Sequence, residues 1–219
     1  MIERLLPPSA VAVEAYDDAA DAPLYPEERA HVARAVEKRR REFATVRRCA
    51  RDALAGLGVA PAPILPAERG APAWPPGVVG SMTHCAGYRA AAVARAADLT
   101  AIGIDAEPHA PLPDGVLEAI SRPDDRAGLA ALPPGQVCWD RLLFCAKEAV
   151  YKAWFPLTRR PLGFEDASVD IDPAPEATAS EAREGAFRAR LHTEGPWRTL
   201  TGRWLATGAL LITVITVER

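Results

Sequence analysis

Apolar and polar positions change rhythm several times along these 219 residues, and each change predicts an element. Ala10–Tyr16 is short and mostly apolar, a strand candidate. Pro26-Glu27-Glu28 has the form of a helix start, with proline in the first turn and acids at the positive end of the helix dipole. Helical spacing follows through His31–Arg41 and Glu42–Leu57, and Gly56 and Gly58 suit its end. Val59–Pro76 is proline-rich and predicts extended or looped chain. Val78–Gly80 reads as a short strand leading into Ser81-Met82-Thr83-His84, with Tyr88–Ala96 as the next strand. Thr100–Glu107 is a buried strand whose apolar run ends on Asp105 and Glu107. Leu112–Pro134 is broken by proline, glycine and charge, and holds one short helix near Val116–Ser121. Cys138–Phe155 is the clearest helix, with Leu142, Phe144, Cys145, Ala149 and Trp154 at helical spacing and Pro156 expected to end it. Ala167–Ile171, Ala186–His192, Thr199–Leu205 and Ala209–Val217 read as strands, and Pro173–Glu184 as a polar loop.

Composition narrows the setting. The length suits one large domain or two small ones. A formal charge of -3 argues against bulk nucleic-acid binding, so an anionic ligand needs a local cluster of positive groups. Only Lys38, Lys147 and Lys152 are lysine among 26 basic residues, which draws attention to the two that lie five apart. The four cysteines form no C-x-x-C pair, and a reduced, cytoplasmic setting is the simplest expectation. No secretory leader is read at the N-terminus, and Leu205–Val217 is too short to span a bilayer.

Four segments carry candidate chemistry. In Gly103-Ile104-Asp105-Ala106-Glu107, residues two apart on a strand share a face, so the two carboxylates project together. Such a pair suits a hard cation such as magnesium; the ordinary alternative is a solvated strand end. In Phe144–Trp154, positions 144, 148 and 152 share a helical face, which sets Glu148 beside Lys152, with Lys147 next to them. This is either a plain helical ion pair or a partly buried site. Gly80–His84 offers hydroxyls and an imidazole to a phosphate, or is simply a strand leading to a turn. Lys38–Arg48 can align either Arg40 with Arg47, or Arg39 with Phe43 and Arg47, as a phosphate-binding face or a solvated one. A faint internal echo, a basic helix with a phenylalanine in each half, is too weak to establish a duplication.

Taken in order, the segments KRRREFATVRRCARDAL, WPPGVVGSMTHCAGYRAA, IGIDAEPH and LLFCAKEAVYKAWFPLTRRPLGFEDA resemble the Sfp-type phosphopantetheinyl transferases, in the branch that includes the enterobactin and mycobacterial enzymes. The last segment is the most specific. The resemblance implies an α+β fold of two similar α/β halves related by a pseudo-two-fold axis, with a coenzyme A cleft between them. Residues 1–100 would form the phosphate-binding half, and 101–219 the half with the metal site and catalytic helix. By motif position, Asp105, Glu107, Glu148 and the carbonyl of Ala106 would hold Mg2+, with Mn2+ as a substitute. Arg39, Arg47, Thr83, His84, Lys147 and Lys152 would bind the coenzyme's phosphates, Asp105 would lie at its pyrophosphate, and Glu148 and Lys152 would be catalytic. Relatives often place a lysine where this chain has Pro66; Arg69 is the nearest substitute. Acyl and peptidyl carrier proteins of fatty acid, polyketide or nonribosomal peptide synthesis would be the partners of a monomeric enzyme, with no nucleic acid or membrane. They would dock beside Trp154–Arg160, with Leu112–Pro134 as a second wall. The rival readings are a non-catalytic coenzyme A-binding module and a metal-dependent phosphohydrolase.

Overall fold

The computed structural model describes residues 1–18, 22–135, 137–173 and 182–219. Its elements in chain order are β1 (Ala10–Ala15), α1 (Pro26–His31), α2 (Glu37–Gly56), β2 (Val78–Cys85), β3 (Tyr88–Arg95), β4 (Leu99–Pro108), α3 (Val116–Ile120), α4 (Pro123–Ala130), α5 (Trp139–Thr158), β5 (Ala167–Ile171), β6 (Arg183–Leu191), β7 (Thr199–Ala206) and β8 (Leu210–Glu218). The architecture is α+β. One antiparallel sheet has strand order β1-β3-β2, and a second has β4-β8-β7-β6-β5. One 20-residue helix crosses each sheet: α2 packs on β1 and β3, and α5 on β4 and β8.

The burial pattern follows from the strand period of two. On β3, Ala91 and Val93 face Cys49, Ala50, Ala53 and Leu54 of α2. The alternate residues Ala90, Ala92 and Ala94 face Ile102, Ile104, Ile212 and Val214 of the other sheet. The two halves therefore share one apolar core, and β3 is covered on both sides, as its unbroken small apolar run requires. On β4 the even positions enter this core, while Gly103, Asp105 and Glu107 face α5. A side chain at 103 would bring its Cβ to 2.0 Å from the Ala149 carbonyl oxygen, so glycine is what lets α5 lie against β4.

Several expectations need revision. Ser81–His84 is not a loop after a short strand, because β2 runs through it to Cys85. The segment 112–134 holds two helices; α4 begins on Pro123 with Asp124 and Asp125 behind it, the usual helix-start chemistry. Pro156 does not end α5. Its missing N–H removes one bond in the last turn, yet the helix reaches Thr158 and closes through Arg159 N–H donating to the Phe155 carbonyl at 2.9 Å. Trp154 and Phe155 are buried, so they are not available to a docking partner. Most of the polar loop expected at Pro173–Glu184 lies outside the described residues.

Candidate functional site

A cleft of about 550 Å3 opens where the halves meet. One wall comes from α2 and the end of β2, the other from β4 and the middle of α5. Arg39, Arg47 and His84 line the first wall; Asp105, Glu148 and Lys152 line the second. Pro66 and Arg69 reach it from the proline-rich segment, with Arg69 exposed and in the left-handed region at φ 53°.

The arginines come from helical spacing. Arg47 is buried and stacks over the Phe43 ring, with its guanidinium carbon 3.1 Å from the ring centroid. Its Nε donates to the Ile64 carbonyl at 2.9 Å. Burial pushes this guanidinium down to about 9, which leaves it charged at neutral pH. About two turns earlier on the same helix, Arg39 Nη1 donates to His84 Nε2 at 2.6 Å. Burial, then the Arg39 charge, holds the His84 imidazole below its ordinary pKa.

Across the cleft, Lys152 Nζ donates to Asp105 Oδ1 at 2.7 Å. Burial alone would lower the Lys152 pKa, but Asp105 and then Glu148 outweigh it and raise the ammonium above the usual lysine value. Asp105 is buried, and its Oδ2 has no hydrogen-bond partner. Burial, followed by the Asp105 charge, pushes the carboxyls of both Glu107 and Glu148 up. Asp105 thus acts on both glutamates through a poorly solvated space. Glu107 turns to Arg141, whose Nη1 donates to it at 3.0 Å. Among the described residues no group of three His, Cys, Asp or Glu side chains is placed to hold a metal ion as it stands. The donor set still fits one: carboxylate oxygens, one of them buried and unpartnered, suit a hard divalent ion.

Two candidates are not free for phosphate. Thr83 lines the cleft, but its hydroxyl donates to Asp105 Oδ1 at 3.0 Å and accepts the Ala106 N–H at 3.1 Å. Ser81 Oγ likewise accepts the Ile104 N–H. These hydroxyls join β2 to β4. An extended residue turns its N–H and C=O to the same side, so the Ala106 carbonyl also faces β2 rather than β8. Lys147 is not brought to the cleft at all. One helical step from Glu148 is about 100°, which points Lys147 away from the cleft. It is buried, paired with Asp125 at 2.6 Å, and donates to the carbonyls of Ile120, Phe164 and Ala167. Sequence reasoning missed Asp125, Arg141 and Glu42. Each has a partner distant in the chain that no local pattern announces: Lys147 for Asp125, Glu107 for Arg141, and His84 and Arg89 for Glu42.

Comparison with known proteins points to one family. Residues 27–94 match the family model "4'-phosphopantetheinyl transferase N-terminal domain", and residues 101–207 match "4'-phosphopantetheinyl transferase superfamily". The chain is 56% identical over 229 residues to 4'-phosphopantetheinyl transferase Svp of Streptomyces mobaraensis, covering 99% of this chain and 89% of that protein. It is 51% identical to 4'-phosphopantetheinyl transferase PptT of Mycobacterium tuberculosis (92% and 89% covered). It is 47% identical to 4'-phosphopantetheinyl transferase Npt of Nocardia iowensis (98% and 99% covered).

Proposed function

The chain belongs to the 4'-phosphopantetheinyl transferase superfamily, and from that membership we propose that it moves the 4'-phosphopantetheine arm of coenzyme A onto a serine of acyl and peptidyl carrier proteins. The observation that carries this reading is the cleft, which faces three cationic or hydrogen-bonding groups, Arg39, Arg47 and His84, against Asp105, Glu148 and Lys152. Phosphoryl transfer is mainly positioning and charge stabilisation, and such a pair of walls supplies both.

Arg39, Arg47 and His84 hold the coenzyme's phosphates, with Arg69 at the mouth in place of the expected lysine. Thr83 and Lys147 leave the phosphate-binding set and take structural roles. Asp105, Glu107 and Glu148, with the Ala106 carbonyl, would hold Mg2+. When bound, that ion neutralises the pyrophosphate and polarises the phosphorus under attack. Glu148 accepts the proton of the carrier serine hydroxyl. Its carboxyl is already raised by burial and by Asp105, which brings it nearer to a useful base. Lys152 is kept charged by Asp105 and stabilises the leaving 3',5'-ADP. The acceptor oxygen is the carrier's own, so no covalent enzyme intermediate is required. The first half, 1–100, supplies the phosphate wall and the second, 101–219, the metal and catalytic wall. Support for this division comes from the family matches, which run 27–94 and 101–207. We take the working protein to be a cytoplasmic monomer.

The test is to incubate the protein with coenzyme A, Mg2+ and several apo-carriers and to weigh the carriers. A gain of one phosphopantetheine on the serine is expected. Coenzyme A bound but unchanged would favour a binding module. Coenzyme A cleaved without carrier modification would favour a phosphohydrolase.

A further inference from the structure

Glu42 has no part in the reaction as described, yet it sits at the back of the phosphate wall. Its carboxylate lies 3.8 Å from Arg39 Nη1, 3.9 Å from His84 Nδ1 and 3.6 Å from Arg89 Nη2, with its side chain only 12% exposed. The contact in front of it restricts the chemistry of His84. A guanidinium has donors and no acceptor. At 2.6 Å from Arg39 Nη1, His84 Nε2 must therefore be the acceptor. The ring is then neutral, with its one proton on Nδ1, the nitrogen that faces Glu42.

A phosphate oxygen entering between Arg39 and His84 reverses the requirement. It accepts hydrogen bonds from both, so the Arg39–His84 bond breaks and Nε2 must carry a proton. The groups facing the ring are Arg39 and Glu42 from α2, Arg89 from β3 and Lys152 from α5. Three of the four are cations, and with burial, the larger cause, they hold the free imidazole neutral. A bound phosphate dianion offsets them, and Glu42 stands at the nitrogen that already bears a proton. We propose that coenzyme A binding takes up one proton from solvent onto His84 Nε2, and that Glu42 is the positioning residue that makes the imidazolium stable there. The proposal rests on the reading of Arg39 and His84 as phosphate ligands. It gives the His84 ring a ligand-linked charge: neutral and paired with Arg39 when the cleft is empty, cationic when the phosphate is bound.

The experiment is nitrogen NMR of the imidazoles at neutral pH, with and without saturating coenzyme A. The chain has four histidines, His31, His84, His109 and His192, and a His84→Gln variant identifies the signal. The His84 ring is expected to be neutral in the free protein and an imidazolium in the complex. Calorimetry in buffers of different ionisation enthalpy should show correspondingly greater proton uptake in the native protein than in His84→Gln. Glu42→Gln should leave the ring neutral in the complex and weaken coenzyme A binding by on the order of tenfold. A neutral ring in the native complex overturns the proposal, and that measurement needs no variant. An imidazolium with unchanged affinity in Glu42→Gln removes Glu42 from it. Unchanged coenzyme A affinity in His84→Gln would instead overturn the phosphate-ligand reading beneath it.

Discussion

Asp105 carries the heaviest load of any single side chain in the cleft. It holds Lys152 through Oδ1, accepts from Thr83 on the same atom, and keeps Oδ2 buried and unpartnered. Asp105→Asn keeps the shape but removes the charge that orients Lys152 and would draw the metal. We expect transfer to fall by on the order of 10²–10³-fold while circular dichroism stays native; near-normal turnover would refute the metal assignment. A second residue-scale expectation concerns the phosphates. Dephospho-coenzyme A should bind more weakly than coenzyme A by about 1.5–3 kcal/mol, the worth of charged hydrogen bonds from the arginine wall, as read by calorimetry. Equal affinities would place the 3'-phosphate elsewhere. At this scale the sequence was informative about which acids and arginines matter, because strand and helix periods put Asp105 with Glu107 and Arg39 with Arg47. It was silent about hydroxyls. Nothing in Gly-Ser-Met-Thr-His says that Ser81 and Thr83 spend their hydrogen bonds on the backbone of a strand more than twenty residues away.

Among the elements, α5 was the most legible and also the most misleading. Its spacing predicted a helix and set Glu148 beside Lys152. The same spacing assigns Lys147 to another face, where it serves as a buried peg joining α3, α4 and β5 to α5. Asp125 completes that joint by accepting the Val169 N–H at 2.6 Å and the Arg122 N–H at 2.7 Å. Removing one partner leaves an uncompensated buried charge, so Lys147→Met should cost about 3–5 kcal/mol in urea unfolding. Pairing it with Asp125→Leu should recover part of that loss. A single variant with native stability would show that the ion pair contributes nothing. The short α4 was missed because its apolar periodicity is weak, although Pro123 and the acids after it mark a helix start.

For the whole molecule, the strand-rich second half and the α+β class could be read from the apolar rhythm, but the single core shared by the two halves could not. Ala90, Ala92 and Ala94 are too small to advertise a face, and their partners lie across the chain on β4 and β8. Carrier docking also belongs to this scale. With Trp154 and Phe155 in the core, the proposed surface beside them reduces to Leu157, Arg159 and Arg160, all outside the core, with Leu157 44% exposed. Reversing both arginines to glutamate should raise the Michaelis constant for an acidic carrier at low salt, leave that for coenzyme A unchanged, and matter less at high ionic strength. Unchanged carrier kinetics at low salt would move docking to the α3–α4 wall. The seam between the sheets has a further consequence. Ile104 and Ala106 send their amides to side-chain hydroxyls of the other half, whereas their neighbours on β4 belong to a backbone ladder. If the halves part without unfolding, those two amides lose their protection together while the ladder on either side keeps its own. Amide hydrogen exchange at 104 and 106 would then read out the breathing of the cleft directly, and coenzyme A, by bridging both walls, should slow the two in step.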